Sequence, residues 1–428
     1  MRRKLTTWIL VAMVAGIAVG YMCHMLLPTP AAANTVAAYI SLMTDVFLRL
    51  IKMIIAPLVF STLVVGIAHM GDGKAVGRIG VKTMGWFVSA SLMSLLLGLA
   101  LVNALRPGDS LSLPLPDVGA STNLKTASLS LKEFVTHLVP RSVFEAMANN
   151  EILQIVIFSV FFGAAAASFG DRAKAVVDWV EQVSHVMLKV TAYVMGLAQI
   201  AVFAAIASIV TTQGLGILWT YGKFMGEFYL GILILWCLLA LAGFIFVGPR
   251  IGRLLSLIKE PIMLAFSTAS SEAAYPKTLE QLERFGASKK ITSFVLPLGY
   301  SFNLDGSMMY CTFATIFIAQ AYKIELNLTQ QITMLLILMV TSKGMAGVPR
   351  ASLVVIAATL ATFNIPEAGL LLIMGVDQFL DMGRSATNVV GNSIATAVVS
   401  KWEGELRPEA VGQAEVDADE GVIAPAAA

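Results

Sequence analysis

Charge is scarce in this sequence. Asp, Glu, Lys and Arg make up only 13% of its 428 residues, against roughly 25% in an ordinary soluble domain. Net charge is +2, so nucleic-acid binding has no electrostatic footprint. Cysteine is rare as well. Cys23, Cys237 and Cys311 each lie within an apolar run, with neither metal-ligand spacing nor a disulfide framework, and they read as small apolar packing residues. The four histidines, His24, His69, His137 and His185, all lie outside the polar C-terminal segments. A hydrolase built on Ser270, Ser271 and Glu272 would therefore lack a partner base. What the chain has in quantity is apolar: 57% hydrophobic residues and a mean hydropathy of +0.80, which places it among membrane proteins.

A membrane-spanning helix needs about 20 mostly apolar residues. Runs of this kind occur at 6–27, 40–68, 83–105, 151–169, 184–210, 224–247, 291–320 and 367–400. The first follows Arg2, Arg3 and Lys4, as a removable signal would. It is long enough to span, however, and no small-x-small cleavage site follows it, so it is read as the first helix. Stretches 254–275 and 332–363 are apolar too, but Ser, Gly, Pro and charge interrupt them.

Short cytoplasmic loops carry excess Lys and Arg. Loop 28–36 has none, whereas loops 69–82, 170–183 and 248–259 carry Lys74, Arg78, Lys82, Arg172, Lys174, Arg250, Arg253 and Lys259, followed by Lys289 and Lys290. The signs alternate correctly only if 254–288 enters the membrane and returns as a re-entrant hairpin. Segment 332–363 must do the same. The expectation is an all-α polytopic protein of eight transmembrane helices and two re-entrant hairpins, with both termini cytoplasmic. Segment 106–150 reads as an extracytoplasmic loop broken by Pro107, Gly108, Pro114 and Pro116. Residues 403–428, acidic and Ala-rich, read as a disordered tail.

Residues 375–392 read GVDQFLDMGRSATNVVGN. At about 100° per residue, Asp377, Asp381, Arg384, Asn388 and Asn392 share a face roughly 80° wide. An ionised group in a span costs about 2.5–3.5 kcal/mol on insertion scales, so this face must meet protein or a water-filled site. An ion pair that merely holds helices together is the plain alternative. Chemically, Arg384 offers a planar fork for a carboxylate, and Asp381, nearly one turn away, can accept an ammonium. Together they suit a zwitterion with an extra carboxylate.

Residues 297–307 read PLGYSFNLDGS. Asn303, Asp305 and Gly306 favour local unwinding at membrane depth; the freed carbonyls, with Asp305, are hard ligands that suit Na⁺. A kink with satisfied caps is the alternative. At the hairpin tips, 267–272 (STASSE) offers hydroxyls and amides to a carboxylate, with a helix expected over 276–286 between Pro276 and Gly286. Residues 341–349 (TSKGMAGVP) read as a gate or an inert loop.

These motifs, namely Ser270 with Ser271, 303–307 (NLDGS), 346–349 (AGVP) and 381–388 (DMGRSATN), resemble the glutamate transporter family, the dicarboxylate/amino acid:cation symporters. The resemblance covers about 6–402. It implies a homotrimer working as an elevator, with no cofactor. A scaffold and trimerisation domain would comprise 6–70 and 151–212. A transport domain would comprise 83–105 and 218–402, including hairpin 1 (254–288) and hairpin 2 (332–363). It further implies that Arg384 binds a side-chain carboxylate and Asp381 the amino group of aspartate or glutamate. Asn388 and Ser271 would hold the main carboxylate. Ser270, Ser307 and Ser385 would assist, and the backbone near Val348 would close over the substrate. Cation-site positions would be Gly299, Asn303, Asp305, Ser342, Asn388 and Asn392.

The chain departs from sodium-coupled relatives, which carry Asp where it has Asn392. Their third-span cation positions correspond here to Phe87, Ala90 and Ser91. Lys343 stands beside the expected carbonyl site at Ser342, where its ammonium could replace an ion, and Glu272 occupies a position often held by serine. The pattern is similar to that of proton-coupled bacterial members, which implies proton coupling with Glu272, Asp305, Asp381 and Lys343 as candidates. Cys311 stands where mammalian relatives place a proton-carrying Glu, which closes that route. A C4-dicarboxylate carrier is the rival within the family, though its members generally lack the amino-reading Asp. Neutral amino acid carriers lack the Arg. A passive anion channel is the rival from another class.

Overall fold

The computed structural model describes residues 2–27, 29–68, 73–110, 139–215, 221–342 and 351–408. Among these residues the regular structure is helical, and β pairing is limited to an isolated bridge between Ala287 and Leu406. Helices α1 (Arg2–Leu26), α2 (Pro30–Ala68) and α3 (Gly73–Leu105) open the chain. Next come α4 (Val143–Ala148), α5 (Ile152–Phe169), α6 (Lys174–Met195) and α7 (Ala198–Gln213). Four described stretches, 30–68, 76–109, 152–195 and 222–247, are long and apolar enough to cross a bilayer. Their exposed apolar side chains include Phe161, Trp179, Tyr193 and Ile245. Such surface is a liability in water and the natural state of a lipid-facing helix.

Within this first half, α2 packs against α5, α6 and α7, and α1 packs along α7. Lipid supplies no hydrophobic drive between helices, so close backbone approach must do the work. Gly16 and Gly20 provide it. A Cβ at Gly16 would stand 2.8 Å from the Phe203 carbonyl, and one at Gly20 would stand 2.8 Å from Val210 Cβ.

The remaining helices are α8 (Gly222–Val247), α9 (Arg250–Leu257), α10 (Lys259–Thr268), α11 (Tyr275–Phe285), α12 (Lys289–Phe302), α13 (Asp305–Ala321), α14 (Leu328–Thr341), α15 (Ala351–Thr362), α16 (Leu370–Met374) and α17 (Asp377–Trp402). Helix α17 lies at the centre, packed by α8, α10, α12 and α13, while α3 packs along α13. All its residues from Leu380 through Ser400 are buried.

The segment expected as hairpin 1 contains two helices, α10 and α11, joined by a turn. Thr268 ends α10, Ala269 turns the chain with a left-handed φ of 50°, a 3-10 turn spans Glu272–Ala274, and α11 runs to Phe285. Gly286 closes α11 at φ 104°, a conformation that glycine adopts without penalty. In hairpin 2, the arms α14 and α15 are present, with an Asn327–Gln330 capping box starting α14. Its tip, with Lys343, Val348 and Arg350, lies outside the described residues.

Several expected boundaries shift. The loop read at 170–183 is a 3-10 turn, Gly170–Ala173, and then the start of α6. The first half of α6 falls outside the apolar run at 184–210 because it is amphipathic: Val177, Val180 and Ser184 are buried while Trp179 is exposed. Loops 28–36, 69–82 and 248–259 are likewise shortened by α2, α3 and α9. The expected span 184–210 is broken at Gly196 and Leu197. Span 291–320 is two helices, and 367–400 begins with a 3-10 turn and the short α16. Loop 106–150 contains a turn at Pro107–Ser110 and α4, with 111–138 outside the described residues.

The tail read as disordered from 403 is ordered through 408. Ser288 N–H donates to the Glu405 carbonyl at 3.2 Å, and Arg407 N–H donates to the Gly286 carbonyl at 2.8 Å. Arg250 Nη2 donates to the Phe285 and Arg407 carbonyls at 2.7 and 2.9 Å. Glu403 accepts from Arg78 Nη2 at 2.8 Å and Lys82 Nζ at 2.6 Å. These contacts fasten the segment to α3, α9 and the exit of hairpin 1. Residues 409–428 lie outside the described residues.

Candidate functional site

The polar face of α17 is wholly buried: Asp377, Asp381, Arg384 and Asn388 are 0% exposed and Asn392 is 1%. Desolvating so many polar groups demands partners, and the neighbouring helices supply them. Arg384 Nε forms an ion pair with Asp381 Oδ1 along one turn of the same helix. Its Nη1 donates to Ser307 Oγ at 3.3 Å, and its Nη2 reaches the Ala269 carbonyl at 3.5 Å. The strained left-handed turn at Ala269 thus presents the hairpin 1 tip to the guanidinium. Asn388 Nδ2 donates to the same Ser307 Oγ at 3.2 Å, and its Oδ1 accepts from the Gly306 amide at 2.9 Å. At the end of the stripe, Tyr310 OH donates to Asp377 Oδ1 at 2.6 Å.

The chain comes apart between α12 and α13, as its composition suggested. Asn303 (φ −114°, ψ 65°) and Leu304 (φ −98°, ψ 59°) are not helical. The break sets Asp305 and Gly306 against α17. A Cβ at Gly306 would overlap the Arg384 carbonyl, and one at Gly391 would overlap Asp305 Oδ2. Both glycines are what permits this approach. Asn303 Nδ2 donates to Asp305 Oδ2 at 3.2 Å and to Asn392 Oδ1 at 3.1 Å. Gly299 lies against Asn392, with 2.9 Å between its would-be Cβ and Asn392 Cγ. Gly299, Asn303, Asp305 and Asn392 therefore form one oxygen-rich cluster. The Gly299 carbonyl, expected to be free for an ion, accepts from the Asn303 amide at 2.8 Å. Asn303 Oδ1 and Asn392 Nδ2 are buried with no hydrogen-bond partner among the described residues.

Two hydroxyls, one two residues after Ala269 and one directly after Arg384, are in the same condition. Ser271 Oγ and Ser385 Oγ are fully buried without a hydrogen-bond partner among the described residues. An unmet buried hydroxyl costs about 1–3 kcal/mol, so such groups mark where polar chemistry is expected. Ser270 Oγ accepts from the Ala273 amide at 3.3 Å and caps the 3-10 turn.

The family model for the sodium:dicarboxylate symporter family matches residues 5–402. The chain belongs to that family. A proton/sodium-glutamate symport protein of Bacillus subtilis is 40% identical over 411 residues, 94% of each chain. One of Geobacillus stearothermophilus is 40% identical over 416 residues, 96% of this chain and 97% of the relative. A C4-dicarboxylate transport protein of Cupriavidus necator is 44% identical over 370 residues, 85% of each. The protein is thus a membrane symporter and not an enzyme.

Other expected positions of the symporter fall apart from the ion pair. Glu272 is buried at the tip of hairpin 1 but faces a small crevice formed with Ile55, Val59, Tyr275, Pro297 and Tyr300. That crevice adjoins α2. Ser342 is buried at the end of α14, and its hydroxyl donates to Met308 Sδ at 3.3 Å. Phe87, Ala90 and Ser91 are buried along α3.

Sequence reading missed three members of the site. The Ala269 carbonyl was invisible because any residue has one. Tyr310 sits three residues beyond Ser307, on the same helical face, and that spacing could have exposed it. Trp236 Nε1 donates to Thr387 Oγ1 at 2.9 Å, a contact that only packing creates.

Proposed function

We propose that the chain is a secondary symporter that takes up acidic amino acids, L-glutamate or L-aspartate, across the bacterial inner membrane, coupled to cations with the proton favoured over sodium. The observation that carries this reading is the fully buried Asp381–Arg384 pair beneath the hairpin 1 tip. A substrate carboxylate replaces Asp381 on the guanidinium fork, and Asp381 turns to the substrate ammonium. Asn388, Ser307 and the unpartnered hydroxyls of Ser271 and Ser385 complete the shell, with Ser270 shaping the tip. Without substrate, the two charges neutralise each other. Leaving either one alone at this depth would cost about 3–5 kcal/mol.

The coupling cation, as cargo, belongs at the Gly299–Asn303–Asp305–Asn392 cluster. A single carboxylate there, with Asn392 supplying only a neutral oxygen, is a weak Na⁺ cage, which favours protons. Asp305, Asp381 and Glu272 are the proton-carrier candidates, with Lys343 beside Ser342 as a stand-in cation. Helices α1, α2 and α5–α7 form the scaffold of a homotrimer. Helix α3 and everything from α8 onward form the domain that moves as an elevator, with hairpin 2 closing over the substrate near Val348. Coupling follows if only the empty and fully loaded domains cross.

The second reading, C4-dicarboxylate transport, draws on relatives such as the Cupriavidus necator protein. A dicarboxylate fits Arg384 but leaves Asp381 facing an anion. Competition of L-aspartate and succinate for uptake by wild type and Asp381→Ser separates the two. A selective loss of the amino acid supports the proposal, and equal losses contradict it.

A further inference from the structure

A cavity of about 510 Å³ lies between α3 and α8, and neither Asp381 nor Arg384 lines it. Gly85, Trp86 and Met93 on α3 and Phe246 on α8 make its walls almost wholly apolar, and Trp402 closes it. At one end stands Lys82. Trp86, Phe246 and Trp402 meet edge to face, with ring centroids 5.2–5.8 Å apart, as aromatic residues gather at a membrane interface. Trp86 is 8% exposed, yet its indole N–H meets no acceptor among the described residues. Arg78, one turn before Lys82, is 59% exposed at its side chain. Glu403 pairs with both cations, so two cations and one carboxylate meet at this end of the groove.

We propose that this groove binds an anionic membrane phospholipid, one acyl chain lying along Gly85, Trp86 and Met93 and the phosphate resting at Lys82 and Arg78. The surrounding solvent is already hydrocarbon, so the chain gains little from burial itself. Shape holds the tail, and selection rests on the headgroup charge. One cation near the surface contributes about a fivefold preference for an anionic lipid (about 1 kcal/mol). The site stands independently of the transported substrate.

The test uses the full chain purified in nanodiscs of phosphatidylcholine with a minor share of phosphatidylglycerol, with the lipid retained per chain counted by native mass spectrometry. Wild type should retain phosphatidylglycerol roughly fivefold above its share in the disc. Gly85 lines the groove and a Cβ there meets nothing within 4 Å, so a side chain can start from it without a clash; Gly85→Phe should fill the groove and abolish that retention. Arg78→Gln removes one of the two cations and should reduce retention towards the disc composition. Retention of both lipids in proportion to the disc, or retention unchanged in Gly85→Phe, overturns the proposal. So does a change in oligomeric mass in Gly85→Phe with unaltered lipid content, which would assign the groove to a protein partner.

Discussion

Arg384 and Asp381 are three residues apart on α17, fully buried, and paired with each other, while Arg384 also touches Ser307 and the Ala269 carbonyl. This intrahelical pair lets two ionised side chains lie buried among helices, each neutralised by the other.

Removing one charge should therefore hurt stability as well as transport. Arg384→Ala strands a buried carboxylate and should lower unfolding stability by about 3–5 kcal/mol, with loss of glutamate and aspartate uptake. The double variant Asp381→Ser with Arg384→Ala should recover much of the stability and none of the uptake. Thermal unfolding in detergent, run as a double-mutant cycle, measures the coupling; additive losses would show that the pair is not energetically linked.

The glycine contacts make a second prediction. Gly391→Ala drives a methyl into Asp305, and Gly306→Ala drives one into the backbone of α17. Each should cost about 1–3 kcal/mol through overpacking and alter the ion dependence of uptake. Gly77→Ala, where a Cβ meets nothing within 4 Å, should do neither and serves as the control.

Asn392 accepts from Asn303 and lies against Gly299. Asn392→Asp places a second carboxylate in the cluster and should increase Na⁺ dependence of uptake. Initial rates measured at fixed pH across a Na⁺ series, with choline as replacement, decide this; a flat response in the variant would remove the cluster from the cation path.

Glu403 gives a pH prediction outside the membrane-spanning helices. Burial raises its carboxyl pKa, but hydrogen bonds and charge from Arg78 and Lys82 outweigh this and hold it below the usual carboxylate range. A carboxyl depressed on folding stabilises at pH above its unfolded value, and that contribution disappears as pH falls through the folded value. Between pH 7 and acid, wild type should therefore lose more thermal stability than Glu403→Gln. Parallel losses would detach the C-terminal segment from this role.

Much of this was legible beforehand. The α12–α13 break was announced by Asn, Asp and Gly within an apolar run, and α11 by Pro276 and Gly286 at its ends. The buried stripe followed from spacing alone. What stayed hidden depended on the partner surface. The first half of α6 alternates faces, so the apolar run at 184–210 announced only its second half. The segment after Trp402 is polar and low in hydrophobic period, yet its backbone pairs with the exit of hairpin 1. The position of Glu272 against Ile55 and Val59 depends on how hairpin 1 docks on α2, which no local pattern encodes.

Concentrative uptake by the purified protein in proteoliposomes tests the central claim most directly. With an inward proton gradient and no Na⁺, labelled L-glutamate or L-aspartate should accumulate above equilibrium, and a protonophore should collapse that accumulation. Uptake that only equilibrates, or that requires Na⁺ whatever the pH gradient, would contradict the account.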